Sequence, residues 1–197
     1  MAQKKAHEVD AWLARPDPRM SLVLVYGPDR GLVSERARLF AERSGLPLDD
    51  PFCVVRVDAS DIAEPGRLVD EARTVPMFAD RRLVWVRNAG SQNALVADLA
   101  ALVADPPRDC LVLIEAGDLK KNAALRVTVE RGERAIALPC YSDDARSLDS
   151  VIDSVVSAAG LSISLEARQL LKANLGGDRL ATRGELEKLV LYCAGAE

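Results

Sequence analysis

The chain has 197 residues, 49% of them hydrophobic, which is enough for one large domain or two modest ones with a real core and excludes a disordered chain. Its 26 Lys and Arg stand against 30 Asp and Glu, a formal net charge of −4, so overall charge does not wrap it around nucleic acid and any phosphate contact is local or shared with partners. No stretch approaches the roughly 20 apolar residues of a membrane span, and the start, MAQKKAHEVDAWLARPDP, has no apolar signal core, so a cytoplasmic location without membrane contact is expected.

Residues 22–26, LVLVY, are the first of five short apolar runs bounded by turn or polar residues; the others span 53–57, 83–86, 110–114 and 135–138. Most are apolar continuously, the pattern of strands covered on both faces, which predicts an α/β fold with a mostly parallel sheet. The covering helices are predicted at 33–44, 67–75, 94–102 and 123–130, with Pro65 suited to the first position of the second.

After Pro139 no strand run follows, and three helical patterns take over. In the first, Leu148, Val151, Ile152, Val155, Val156 and Ala159 make one apolar stripe, with Asp143 or Asp144 as its cap and Gly160 as its close. The second is expected to open at Ser164, bury Leu165, Leu170 and Leu171, and stop before Gly176 and Gly177. The third is expected to open at Thr182, in a capping box with Glu185, and to bury Leu186, Leu189, Val190 and Cys193. An α/β domain over residues 1–140 and a helical domain over 141–197 follow, joined by a short link near 138–144.

The stretch LVLVYGPDRGLVSERA, 22–37, is a strand, a glycine turn and a helix start, where a phosphate-binding loop would sit. Such a loop needs G-x-x-x-x-G-K-[ST], so that backbone amides, a lysine and a hydroxyl meet the phosphates and Mg²⁺. Counting from Gly27, Leu32 stands at the second glycine and Val33 at the lysine; Ser34 alone survives, and at a helix start it reads as an N-cap. The frame is kept without its chemistry, and no cofactor is expected.

Other catalytic material is sparse. His7 is the only histidine and lies in a polar lead segment, where a solvated role is expected. Glu115 ends the 110–114 run, where a nucleotide hydrolase would place its Mg²⁺ carboxylate, but Ala116 follows; it is a remnant or a turn residue. Asp49 with Asp50, and Asp143 with Asp144, fit turns and caps. Cys53, Cys110, Cys140 and Cys193 show no metal-ligand spacing and are expected as buried free thiols.

TVPMFADRRLVWVRN, 74–88, puts Val75, Pro76, Met77 and Phe78 in a proline-bent link between a helix and a strand. Met77 and Phe78 either tuck under the sheet or form an apolar tip with charged flanks that anchors to a groove on a partner. Lys120 and Lys121 open another helix, as solvated surface or as a contact to phosphate or a neighbouring subunit.

These stretches together resemble the delta subunit of bacterial DNA polymerase III, the clamp-opening member of the clamp loader. The resemblance covers nearly the whole chain and rests on VYGPDRGLVSERA at 25–37, TVPMFADRRLVWVRN, LKKNAALR at 119–126 and, most specifically, LGGDRLATRGELEKLVLY at 175–192. It implies an AAA+ sheet domain with a helical lid, a subunit that neither binds nor hydrolyses ATP, and a tip at Met77 and Phe78 that plugs into the sliding clamp (the beta subunit) during replication. Many relatives carry Leu-Phe there, and Met77 is a close volume match. It further implies gamma/tau and delta prime subunits as neighbours, primed DNA reached through the assembled complex, and a collar domain lying beyond Glu197, so that this stretch alone is expected not to assemble stably into the loader. The rival readings are a degenerate phosphate-loop adaptor with another partner and a transferase.

Overall fold

Side chains that are apolar on every strand position require cover on both sides of a sheet, and the fold supplies it. The computed structural model describes residues 4–5, 8–76, 79–141, 144–175 and 179–193. Strands β1 (Leu22–Tyr26), β2 (Val54–Asp58), β3 (Arg82–Ala89), β4 (Cys110–Ala116) and β5 (Ala135–Pro139) form one parallel sheet in the order β2-β3-β4-β1-β5. Leu22, Leu24, Tyr26, Val84, Val86, Val112 and Ile114 form a buried cluster with side chains of α3 (Arg67–Arg73), α4 (Asn93–Ala104) and α5 (Ala124–Glu130). The alternate residues Val23, Val25, Leu83, Trp85, Leu111 and Leu113 are buried on the opposite face, the side of α1 (Val9–Ala14) and α2 (Arg30–Arg43). Trp12 of α1 stacks on Phe40 of α2 at a centroid distance of 6.0 Å.

The outer edge of β5 is engaged by its own chain. The Lys4 amide donates to the Ala137 carbonyl at 3.2 Å, and the buried Arg36 guanidinium donates to the Pro139 carbonyl at 3.2 Å while pairing with Asp10 at 2.9 Å.

The predicted elements shift where side chains cap or pair. Helix α2 begins at Arg30 because the Asp29 carboxylate accepts the Leu32 amide at 2.9 Å, so Ser34 is an interior helical residue and not the cap. Gly66 is the N-cap of α3, which leaves Pro65 two residues before the first helical residue, Arg67. Strand β3 runs three residues past the predicted end, with Arg87 in register with Asp58 of β2, and Asn88 adopts φ 56° in a bulge before Ala89.

The described chain falls into two compact units, Met1–Pro28 with Val33–Tyr141, and Asp29–Leu32 with Ser142–Glu197. The second contains α6 (Asp144–Ala158), α7 (Leu165–Asn174) and α8 (Arg179–Cys193) around Val151, Ile152, Val155, Val156 and Leu186. Gly160 closes α6 at φ 68°, and the Ser164 hydroxyl caps α7 by accepting the Ala167 amide at 3.1 Å. Asp144 opens α6, while Asp143, Gly176 and Gly177 lie outside the described residues. Arg168 and Lys172 of α7 both pair with Asp149 of α6.

Several expected burials in this unit are corrected. Leu165 and Leu170 are 71% and 67% exposed, since Leu171 and Leu175 set the inward phase of α7 and the other two lie well off it at 100° per residue. Helix α8 starts at Arg179, three residues before the predicted capping box, so Thr182 is a buried helical residue. Leu189 is exposed beside the inward Leu186 and Val190, and Cys193, the last residue of α8, is an exposed free thiol. Cys53, Cys110 and Cys140 are buried, as expected.

The start of α3 is held from another helix: the buried Asp98 carboxylate of α4 accepts the Gly66 and Leu68 amides, the latter at 2.8 Å. Asp98→Ala orphans both donors and is expected to cost about 3 kcal/mol in urea unfolding. Asp98→Asn, which retains one acceptor oxygen, is expected to cost less.

Candidate functional site

In a parallel sheet every strand-to-helix loop leaves from the carboxyl ends and every helix-to-strand link returns to the amino ends. The β1–α2 loop and the α3–β3 link therefore lie at opposite ends of the sheet, about 17 Å apart for five-residue strands.

At the carboxyl end the phosphate-loop positions are filled. A Cβ on Gly27 would fall 2.2 Å from the Cys140 carbonyl oxygen, so glycine is there for close approach of β5, and the Gly27 amide already donates to the Gly117 carbonyl at 3.2 Å. Leu32 and Val33, in the second-glycine and lysine positions, are buried apolar side chains, and Ser34 is partly buried in α2. The Leu32 amide, of the kind that a phosphate would meet at a helix start, is taken by Asp29, whose carboxylate also puts negative charge there. Asp29 was not singled out in the sequence, although an Asp just after Pro28 and before a helix carries the capping signal.

Glu115 is committed to the sheet. Its carboxylate accepts the Trp85 indole N–H at 2.6 Å and lies 3.7 Å from Arg87, and its side chain is mostly buried. Arg56 and Arg87 both lie over the Trp85 ring, 5.6 and 5.2 Å from its centroid. Burial raises the Glu115 carboxyl above its usual 4.5, against the pull of the Trp85 hydrogen bond and Arg87.

The LKKNAALR stretch divides its labour. Arg126 is buried, donates to Glu130 at 2.7 Å and lies 5.0 Å from the centroid of Tyr26, the last residue of β1. Lys120 and Lys121 are exposed. Among the described residues no three His, Cys, Asp or Glu side chains gather as metal ligands, and no helix is long and apolar enough to cross a membrane.

At the amino end, α3 stops at Arg73 and the chain enters the link to β3. Val75 is 77% exposed and Pro76 is partly buried; Met77 and Phe78, like His7, lie outside the described residues. Residues 72–76 and the α4–β4 loop, 105–109, line a surface pocket of about 280 Å³, and Arg73 pairs with Asp105 between the two segments at 2.9 Å. Arg82, at the start of β3, binds Glu71 of α3 at 2.7 Å from a buried position, a contact that the sequence did not reveal.

A sequence profile described as DNA polymerase III, delta subunit, matches residues 23–140, more than half of the chain. The chain belongs to this family. It is 22% identical over 174 residues to the probable DNA polymerase III subunit delta of Rickettsia prowazekii (strain Madrid E), covering 88% of this chain and 51% of that protein. It thus spans about half the length of the curated relative. The Bacillus subtilis DNA clamp loader delta protein superposes at a TM-score of 0.62 with 18% identity, over 98% of this chain and 59% of that one. Domain III of the Thermotoga maritima replication initiation protein DnaA superposes at 0.53 with 13% identity, over 98% and 85% of the two chains. The T. maritima RuvB Holliday junction branch migration motor gives 0.53 with 14% identity, over 94% and 57%. These likenesses establish an α/β fold of the AAA+ kind.

The Glu115 environment makes a pH prediction. A carboxyl whose folded pKa is raised binds protons more tightly folded than unfolded, so its contribution to stability falls as pH rises from 4.5 through the raised folded value. The stability of the unaltered chain relative to Glu115→Gln is therefore expected to decline across that window in parallel denaturant titrations.

Proposed function

We propose that this chain is the clamp-contacting subunit of a clamp loader: it binds a ring-shaped sliding clamp through Val75, Pro76, Met77 and Phe78, favours the opened ring, and does so without using ATP. The observation that carries the reading is Val75, a large aliphatic side chain 77% exposed in the α3–β3 link of a chain in the delta family. An exposed apolar residue leading into Met-Phe, flanked by Asp80 and Arg81, has the make-up of an anchor with a polar rim. Ring opening then follows from differential affinity: a subunit that binds the open clamp more tightly than the closed one shifts the population by that difference and by no more.

The absence of nucleotide chemistry is supported by the carboxyl end of the sheet. Buried Val33 offers no cation for phosphate, and the Asp29 carboxylate already occupies the Leu32 amide. In this reading ATP belongs to the gamma/tau subunits of the loader, delta prime is a further neighbour, and primed DNA is met through the assembly. A replication subunit of this kind works in the cytoplasm, where the bacterial chromosome lies.

Clamp binding by Met77→Ala and Phe78→Ala, measured together with thermal unfolding, tests the reading. Truncating an anchor in a desolvated pocket commonly costs 2 kcal/mol or more, so Phe78→Ala is expected to weaken clamp binding on the order of 30-fold with an unchanged melting temperature. Unchanged affinity with a large loss of thermal stability would make Phe78 a core residue and overturn the assignment. Calorimetry with Mg-ATP is expected to show no heat of binding, and low-micromolar affinity would contradict the ATP-free part.

A further inference from the structure

We propose that Arg82 is a positioning residue that clips the two ends of the α3–β3 link together and so pre-organises the docking segment, a role that rests on the function proposed above. Arg82 opens β3, paired in register with Cys110 of β4, at a position where an apolar side chain would satisfy the sheet. It is instead a guanidinium only 8% exposed. Burying such a cation is unfavourable unless its donors are met, and here they are met by the end of α3. Nη2 donates to the Glu71 carboxylate at 2.7 Å, and Nη1 lies 3.4 Å from both the Glu71 and the Thr74 carbonyl oxygens. The Arg82 amide donates to the Asp109 carbonyl at 2.9 Å.

These partners are not scattered. Glu71 lies in the last turn of α3 and Thr74 is its C-cap; among the described residues the Glu71 carbonyl otherwise accepts only the Thr74 amide, at 3.4 Å, and a cation at this end suits the helix dipole. One planar fork therefore fixes the exit of α3 to the entry of β3, at the base of the segment 75–81. The Asp109 contact adds the α4–β4 loop, which forms the far wall of the adjoining pocket. Arg73 with Asp105 ties the same two segments at the surface, where both side chains are at least half exposed and the tie is weak. The buried clip thus fixes the two ends of the link, at Thr74 and Arg82, and a link with fixed ends loses less conformational freedom on binding.

The test uses the full chain with a purified sliding clamp, and two mild substitutions, Glu71→Gln and Arg82→Lys. Glu71→Gln keeps the shape of the pair without its charge, and Arg82→Lys keeps the charge without the fork. Hydrogen exchange of the free proteins and clamp affinity are both measured. Both variants are expected to speed exchange across 75–81 by about tenfold and to weaken clamp binding by about tenfold, while protection in β3 and β4 is retained. Unchanged exchange in 75–81, or faster exchange with unaltered affinity, overturns the positioning role. Loss of protection throughout β3 and β4 in both variants also overturns it, because Arg82 is then a core residue whose loss unfolds the sheet. If the unaltered chain itself fails to bind the clamp, the docking function falls and takes this role with it, whereas binding by wild type and variants alike removes only the inference about Arg82.

Discussion

The parallel direction of all five strands is the constraint on which the arrangement depends. Parallel pairing demands crossover connections, the crossovers put helices on both faces, and the side chains of β1 and β5 and most of those of β3 and β4 are buried. It also sorts the connections by end. The β1–α2 loop and the α3–β3 link cannot share a site, so they are separate surfaces with separate chemistry.

The carboxyl end of the sheet is occupied by contacts within the chain. The strand-turn-helix frame is present, and three of its groups are engaged within the chain. Asp29 takes the Leu32 amide, Gly117 takes the Gly27 amide, and Val33 turns into the core. The frame is retained because it is also structural: Gly27 is where β5 passes, with no room for a Cβ, and Arg126 holds the aromatic ring that ends β1. Close strand packing by itself accounts for a glycine at this turn.

The strands were legible in the sequence because continuous apolar runs such as LVLVY have few other solutions, and the sheet with its parallel sense followed from them. Short α1 was not legible, since six residues with Val9 and Leu13 inward make too brief a period to register. Helix starts were misplaced where a Ser or Thr looked like a cap and the helix had already begun, at Ser34 and Thr182. In α7 the leucines Leu165 and Leu170 misled because hydrophobicity alone does not fix phase. At the amino end, the motif drew attention to Val75 through Phe78, but the Arg82–Glu71 ion pair was invisible: a charged residue beside a strand reads as its solvated boundary, and its burial depends on where α3 ends.

Open parallel sheets have two free edges, and an edge strand is a template for another chain's strand. On β5 that template is disabled by the contacts of Lys4 and Arg36. The outward carbonyls of Ala137 and Pro139 already have donors, and Pro139 has no amide to offer. A foreign strand arriving there would have to displace the chain's own N-terminal residues and a buried guanidinium. Strand addition at β5 is thereby disfavoured, and at the other edge, β2, exposed Arg56 places a positive charge in the middle of a five-residue strand, a second guard against edge pairing.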